Sequence, residues 1–396
     1  MKVLYIGCYR DGTGWANAAQ GYILSLDKAN VDVVPRFLKL NETQGEVDKR
    51  IVELEEKSSK NCDVVIQHVL PHYFDYNGNF DKNIGLYVTE TSNCINTAWP
   101  ERINLMDEAW VPNLFMATEA CKQSLIHTPH YVIPHAFDLS KYQEEYEPLQ
   151  IPEIKDKFVF YYIGEATRRK NIGAMLKAFH LEFAPNEDVS IVIKAHIPGQ
   201  TPVVAENYLK EMSDKIKEGL KLYQHSSMYH SEIFMGQYLT DEQIMRLHAT
   251  CDCFVSASFG EAWGIPIFDA MALGKTPICT DSGGPKDFIQ GGGYLVQGRD
   301  EPCFGASDTF DEIYVGNESW SSPSIIEIMK KMRSAYEDKK TRQKKSVEGI
   351  NTSYEYSYSN VGKLMKDTLE GTNMNVANQD NIIKSKHCVG KLLNEN

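Results

Sequence analysis

The sequence predicts an α/β protein built from two successive domains, each with a mostly parallel sheet. Short apolar runs alternate with segments of helical periodicity, which is typical of parallel strands covered on both faces by helices. A polar stretch at residues 139–157, with two prolines and mixed charges, interrupts this alternation, and the same pattern then starts again. The chain has 396 residues, of which 42% are hydrophobic, and this is enough for two cores of ordinary size.

The first domain is predicted to span residues 1–148. It opens with the apolar run KVLYIGCY, followed by the turn residues Gly12 and Gly14 and then by a helical pattern of apolar residues. This order indicates a strand, a glycine loop and a helix. Further strands are predicted from VDVVP, CDVVIQHV, NIGLYVTET, EAWVPN and YVIPHAF, and helices around residues 45–59, 98–107 and 114–125.

The second domain is predicted at residues 149–350 and again begins as strand, loop and helix, in FVFYYIG and NIGAMLKAFHLEF. Strands follow in VSIVIKA, CDCFVSAS, TPICTD and GYLV. Thr240 and Gln243 predict a capping box at the start of a helix. One long helix is expected at about 323–349, where the basic run KKTRQKK indicates a solvated face.

Two segments follow the second domain. Residues 351–370 are predicted to form a helix that returns to the first domain. Residues 371–396 are rich in asparagine and polar, so we expect partial disorder there.

The composition limits which partners the chain can bind and in which environment it is expected to fold. The net charge of −13 makes the chain a poor ligand for nucleic-acid phosphates. No run approaches the roughly 18 apolar residues of a membrane span. Nine cysteines without a C-x-x-C motif indicate core thiols in a reducing compartment, and no metal site is expected. These features predict a soluble, cytoplasmic protein, and they do not indicate its oligomeric state.

The segment SFGEAWGIPIFDAMALG carries the strongest functional signal. Pro266 predicts the first turn of a helix, which places the amides of Gly264 and Ile265 at its N-terminus, where an anion binds favourably. We expect Asp269 in the first helical turn and Glu261 in the preceding loop. Carboxylates accept hydrogen bonds from vicinal hydroxyls, so the set suits a sugar nucleotide. Spacing alone equally allows a structural interpretation without a ligand. In that interpretation Glu261 is a solvated loop acid, and Asp269 interacts favourably with the helix dipole.

The longer segment SFGEAWGIPIFDAMALGKTPICTDSGG resembles the donor site of the retaining GT-B glycosyltransferases of family 4. That family has an acid pair in an E-x7-E arrangement around G-(L/I)-P, then E-A-M-A-x-G and a G-G turn. The second acid is Asp269 in place of Glu. The resemblance implies that Glu261 contacts sugar hydroxyls and that Asp269 contacts the nucleotide ribose. The matching positions are Ser258, Glu261, Gly264, Pro266, Ala270, Met271, Ala272, Gly274, Gly283 and Gly284.

Flanking segments extend the resemblance. Lys170, in YYIGEATRRKN, matches the family lysine that holds the donor diphosphate, whereas Glu165 replaces the usual arginine. Arg168, Arg169 and Lys194 are then candidate cations. In the first domain the match is looser: Gly12 and Gly14 correspond to a loop near the donor phosphates and acceptor, and His135 and Asp138 match a later stretch. Many members have a histidine where this chain has Glu90 and Thr91.

The resemblance implies two Rossmann-like domains facing across a cleft and a retaining transfer of sugar from a nucleotide-diphosphate sugar. No metal and no dedicated nucleophile are implied. The acceptor, a glycan, a lipid or a small molecule, stays open, as does the choice between UDP and GDP. Glu261 and Lys170 are the predicted catalytic residues. The predicted donor-binding residues are Gly12, Gly14, Arg169, Lys194, Ser258, Gly264, Ile265 and Asp269.

Three alternatives stay open. The departures at Glu165, Asp269 and Glu90 are compatible with a catalytically silent nucleotide-sugar-binding or scaffold protein. A GT-B sugar-nucleotide epimerase is disfavoured by the acid pair. A Rossmann dehydrogenase is disfavoured because Asn17 occupies the last position of G-x-G-x-x-G.

Overall fold

The computed structural model describes residues 1–40, 42, 44–306 and 312–373. The chain forms two compact units. The first comprises Met1–Leu139 and the chain from Glu355 onward, and the second comprises Ser140–Tyr354. Most of the tail predicted at 371–396 lies outside the described residues.

The first unit has a six-stranded, fully parallel sheet in the order β2-β1-β3-β4-β5-β6. The predicted parallel sheet is therefore confirmed. The order reverses between β1 and β3, which makes the carboxyl edge there the place where an open sheet of this kind binds ligands. The strands are β1 (Lys2–Gly7), β2 (Asp32–Phe37), β3 (Val64–His68), β4 (Lys82–Leu86), β5 (Glu108–Val111) and β6 (His130–Val132).

The long helix of the first unit follows β1 directly. Thr13 begins it, because its side-chain hydroxyl accepts a hydrogen bond from the Ala16 amide at 3.2 Å. Ala19, Tyr22 and Leu26 of the predicted apolar stripe are fully buried in the core. The helices after β1, β2, β4 and β5 are α1 (Gly14–Lys28), α2 (Lys49–Glu55), α3 (Trp99–Ile103) and α4 (Cys121–Gln123), the last preceded by a π-helical turn at Met116–Ala120. The second to fourth are shorter than the predicted segments.

The second unit also has a six-stranded parallel sheet, in the order β12-β11-β10-β7-β8-β9. This is the strand order of a dinucleotide-binding fold, with its reversal between β7 and β10. The strands are β7 (Phe158–Glu165), β8 (Val189–His196), β9 (Glu232–Met235), β10 (Cys253–Ser256), β11 (Ile278–Thr280) and β12 (Tyr294–Val296). An antiparallel pair, β13 (Gly298–Pro302) and β14 (Ser319–Pro323), follows.

The capping box predicted for the second unit is present, since the side chains of Thr240 and Gln243 bond reciprocally to each other's amides. Cys251 and Cys253 are buried, as predicted for core thiols. The helices are α5 (Ile172–Glu182), α6 (Pro202–Leu220), α7 (Asp241–Thr250), α8 (Ile265–Ala272), α9 (Gly283–Ile289), α10 (Ile325–Glu337) and α11 (Lys339–Ser353).

The single helix predicted at 323–349 is wrong, because two helices occupy that region. Asp338 leaves the helical conformation, with φ −91° and ψ 77°, and its carboxylate accepts a hydrogen bond from the Thr341 amide at 2.9 Å to begin α11. The basic run is also partly structural. Arg342 lies 4.8 Å above the Phe158 ring, and Lys345 donates to the Gly293 carbonyl at 2.8 Å.

The last described helix, α12 (Tyr358–Leu369), belongs to the first unit and packs on α1. Gly362 permits this close approach, because a Cβ there would lie 2.1 Å from the Ser25 carbonyl oxygen. Val361 and Met365 of α12 complete the core beneath α1.

A buried polar cluster ties α5, α6 and β9 together in the second unit. Glu232 accepts hydrogen bonds from Lys217 Nζ at 2.7 Å, from the Ser213 hydroxyl and from His180 Nε2 at 2.6 Å. Burial alone would raise the pKa of Glu232, but these partners lower it to about 2.

Glu232→Gln should therefore destabilise the protein in a pH-dependent way. A carboxyl whose pKa is depressed from 4.5 to about 2 stabilises the fold fully above pH 4.5 and loses this contribution as the pH falls toward 2. We expect the substitution to lower the free energy of unfolding at pH 7 by roughly 3 kcal/mol and to flatten its dependence on pH below about 5. Urea denaturation between pH 3 and 7 measures both, with the exposed Glu211→Gln as the control. Equal pH profiles for the two variants would contradict the assignment.

Candidate functional site

The candidate site lies at the strand-order reversal of the second unit. The loop after β7 carries Arg169 and Lys170, and the loop after β10 carries Ser258 and Glu261. Because β7 and β10 are neighbouring parallel strands, both loops emerge at the same carboxyl edge of the sheet. This is the position at which open α/β sheets bind ligands.

Glu261 is the centre of the side-chain contacts. Lys170 Nζ lies 2.6 Å from Oε1 and 2.9 Å from Oε2. The Ser258 hydroxyl donates to Oε1 at 2.7 Å, and Arg169 Nη1 lies 3.5 Å from Oε2. The structure therefore brings three of the predicted residues around the carboxylate of a fourth, Glu261.

Backbone contacts hold the two loops against each other. The Phe259 amide donates to the Arg169 carbonyl at 2.9 Å, and Arg169 Nη1 donates to the Gly260 carbonyl at 2.7 Å. Asn171 adds a bond from its side chain to the Ala257 carbonyl at 3.1 Å. Arg169 thus contacts the Glu261 loop through both its main chain and its side chain, which fixes the position of the neighbouring Lys170.

The charge of Glu261 is stabilised by its surroundings. Burial alone would raise the pKa of this carboxyl. The positive charges of Lys170 and Arg169, and the hydrogen bonds from Lys170 and Ser258, lower the pKa below its ordinary value. Glu261 is therefore ionised at neutral pH, and the two side chains of the Lys170–Glu261 pair are 16% and 11% exposed.

The N-terminus of α8 follows Glu261 by a few residues. Gly264 begins the helix with φ +89°, a conformation that favours glycine, and Pro266 lies in the first turn as predicted. Within the described residues, the amides of Gly264 and Ile265 donate to no other group. Both predicted amides are thus available at the positive end of the α8 dipole.

Asp269 departs from the prediction. Because the helix begins at Ile265, Asp269 lies in its second turn and not in the first. Its Oδ1 accepts hydrogen bonds from Lys141 Nζ at 3.1 Å and from the Tyr142 hydroxyl. It makes no hydrogen bond to Glu261 or Lys170, so the second acid forms a cluster of its own.

Lys194 lies in the interior of β8 and is 6% exposed. It makes no side-chain hydrogen bond or ion pair with another described residue, and burial lowers the pKa of its ammonium group. Two positions on, at the end of the strand, His196 Nε2 lies 3.8 Å from the carboxylate of Glu165. Arg168 is exposed and contacts the Phe259 ring, not Glu261.

Gly12 and Gly14 belong to the first unit, in the loop after β1 at that sheet's own strand-order reversal. Next to them, Trp15 stacks on His68 with ring centroids 5.3 Å apart. His135 is buried against Tyr22 of α1, and burial lowers its pKa to about 3. His135 is therefore neutral at physiological pH.

Sequence reasoning did not find Lys141 and Tyr142. They precede Asp269 by 128 and 127 positions and lie in the polar segment that separates the two predicted domains. No spacing rule connects such distant residues, and a Lys-Tyr dipeptide in a charged stretch carries no motif.

Comparison with known proteins identifies the class of fold. Residues 144–302 match the family model described as Glycosyl transferases group 1. A structure of Anabaena Alr3699/HepE in complex with UDP-glucose aligns with a TM-score of 0.61 and 14% identity, covering 94% of this chain and 100% of that chain. Sucrose-phosphate synthase from Thermosynechococcus elongatus aligns with a TM-score of 0.61 and 12% identity, over 94% and 99% of the two chains. The protein has the GT-B fold, as the sequence predicted.

Among curated proteins, the serotype-specific mannosyltransferase WbdA of Escherichia coli is 24% identical over 139 residues. That stretch is 34% of this chain and spans 16% of the relative. The region matched by the family model contains Lys170, Glu261 and α8.

In the described part of the chain, no helix is long and apolar enough to cross a membrane. The same residues contain no group of three or more His, Cys, Asp or Glu side chains arranged to hold a metal ion.

Gly283→Ala should disturb the Glu261 loop directly. Gly283 has φ +59°, and a Cβ there would lie 2.1 Å from the Glu261 carbonyl oxygen. We expect the free energy of unfolding to fall by roughly 1–3 kcal/mol, because the new methyl group clashes with backbone and the conformation disfavours alanine. Urea denaturation measures the loss. Gly219→Ala, in α6 with open space around it, is the control and should be neutral or slightly stabilising.

Proposed function

We propose that this protein is a glycosyltransferase that moves a sugar from a nucleotide-diphosphate sugar to an acceptor with retention of anomeric configuration. The observation that carries the proposal is the Glu261 cluster. A buried carboxylate, two cations and a helix N-terminus meet at the ligand-binding edge of the second unit, within the region that matches the glycosyltransferase family model.

The cluster has the groups that a sugar diphosphate requires. An ammonium group has three N–H donors, and Lys170 directs two of them at Glu261, which leaves one for a phosphate oxygen. The amides of Gly264 and Ile265 add donors and a favourable dipole. Glu261 has lone pairs beyond those that Lys170 and Ser258 use, and it is an acceptor for sugar hydroxyls.

Transfer in this site breaks the bond between the anomeric carbon and the leaving phosphate oxygen and forms one to the acceptor oxygen on the same face of the sugar. The leaving phosphate oxygen takes the acceptor's proton, so the chain need not supply a base. Lys170, Arg169 and the α8 amides stabilise the charge that grows on the phosphate, which is electrostatic catalysis that these residues can provide without a metal. Lys194 is a further proposed cation for the donor.

The names of similar proteins guide the choice of ligands. WbdA is a mannosyltransferase, and HepE has been crystallised with UDP-glucose. A donor panel should therefore include glucose and mannose nucleotides of UDP, GDP and ADP. We propose that the acceptor is a glycan, a lipid or a small molecule. We also propose that the protein is located in the cytoplasm.

Thermal-shift titration with this panel tests binding, because a ligand that binds the folded state raises the melting temperature. Slow hydrolysis of the bound donor then tests turnover. Donor binding without any turnover, across an acceptor panel, would favour a silent nucleotide-sugar-binding protein. Conversion of the bound sugar to its epimer would indicate an epimerase. Binding of NAD(P)H in place of these donors would indicate a dehydrogenase.

Lys170→Ala and Glu261→Gln should each reduce kcat/KM for donor hydrolysis by about 10²-fold or more, because each removes a preorganised charge. Lys177→Ala, on the exposed side of α5, is the matched control and should change the rate less than twofold. Circular dichroism and urea denaturation must accompany the assay, since removing one partner of a buried pair also destabilises the fold. Near-wild-type rates in both variants would refute the assignment of this cluster.

A further inference from the structure

A second cluster lies on α8, away from the Glu261 contacts. Asp269 is 7% exposed in its side chain, and its Oδ1 accepts hydrogen bonds from both Tyr142 and Lys141. The Tyr142 ring also packs at the edge of the Phe268 ring, with centroids 6.1 Å apart. Within the described residues, the other oxygen, Oδ2, accepts no hydrogen bond.

The two oxygens of the Asp269 carboxylate are not equivalent, because both donors bind Oδ1. A neutral phenol and an ammonium group converge on one carboxylate oxygen and fix the rotation of the carboxylate. Tyr142 and Lys141 are neighbours in one 3₁₀ turn, Leu139–Tyr142, so a single turn of backbone supplies both donors. The oxygen that they leave uncommitted keeps its acceptor lone pairs for a hydroxyl donor.

The segment at residues 141–149 has anchoring contacts that do not involve Asp269. The Leu149 amide donates to the Thr250 hydroxyl at 2.7 Å, and Arg246 Nε donates to the Glu147 carbonyl at 2.8 Å. Tyr146 closes the turn internally through a bond to the Lys141 carbonyl at 2.8 Å. The segment is thus already fixed to α7, and a buried carboxylate would be a costly additional anchor.

We propose that Lys141 and Tyr142 are positioning residues that orient Asp269 to accept hydrogen bonds from the ribose hydroxyls of the donor nucleotide. The inference rests on the proposed function, and it adds two residues that precede the region matched by the family model. Asp269 is one methylene shorter than glutamate. The two donors hold this shorter side chain in a defined orientation.

The test compares the affinity of each variant for a nucleoside diphosphate and for its 2′,3′-dideoxy counterpart, by isothermal titration calorimetry. The base is the one that the donor panel selects. We expect the wild type to prefer the ribose form by about tenfold or more, since hydrogen bonds to a charged acceptor are strong. Tyr142→Phe and Lys141→Ala should each reduce this preference several-fold by weakening binding of the ribose form, with little change for the dideoxy form. Asp269→Asn should reduce it furthest.

Tyr208→Phe is the matched control, because it removes an exposed hydroxyl on α6 without touching Asp269 or the turn that holds Lys141 and Tyr142, and its preference should equal that of the wild type. Equal weakening of both ligands in Tyr142→Phe and Lys141→Ala, or lowered melting temperatures with an unchanged preference, would show that the pair is an anchor and overturn the inference. A wild type that binds nucleotide without any preference also overturns it. A wild type that binds no nucleotide refutes the proposed function itself.

Discussion

The ion pair between Lys170 and Glu261 is the interaction on which the rest of the candidate site depends. It joins two loops that are 91 positions apart and that leave neighbouring parallel strands. Both side chains are largely buried, so the charge of Lys170 is stabilised mainly by Glu261, and the charge of Glu261 by Lys170, Arg169 and Ser258. Loss of either partner would leave an uncompensated charge at the sheet edge, which is why function and stability are coupled here.

The strand order makes this pair possible. In the second unit the connections run to opposite sides of β7, so a crevice opens between the loops after β7 and β10. Two glycines then allow α9 to approach the Glu261 loop. A Cβ on Gly283 would lie 2.1 Å from the Glu261 carbonyl oxygen, and one on Gly284 would lie 2.6 Å from that of Ala262. The G-G turn therefore has a steric reason within this chain, independent of any family pattern.

Local signals predicted most of the fold and named the residues that the structure places around Glu261. Pro266, the Thr240 capping box and the alternation of strands and helices act over a few residues, and the structure confirms them. Two predictions were wrong because they depended on the exact residue at which a helix begins or ends. Gly264 begins α8 early enough to move Asp269 into the second turn, and Asp338 divides one predicted helix into two. The pairing of Asp269 with Tyr142 is a tertiary contact, and local pattern carries no trace of it.

Glu261, Asp269 and Lys194 are three buried charged side chains that differ in how many oppositely charged neighbours they have. Glu261 has two cations beside it and Asp269 has one, whereas the buried ammonium of Lys194 has no anion among the described residues. Burial lowers its pKa because the charged form loses hydration without gaining a partner. An anionic ligand that reached Lys194 would raise that pKa, so its binding would take up protons at alkaline pH. A buried cation without an anion is costly in a folded protein, and this cost favours loss of its proton.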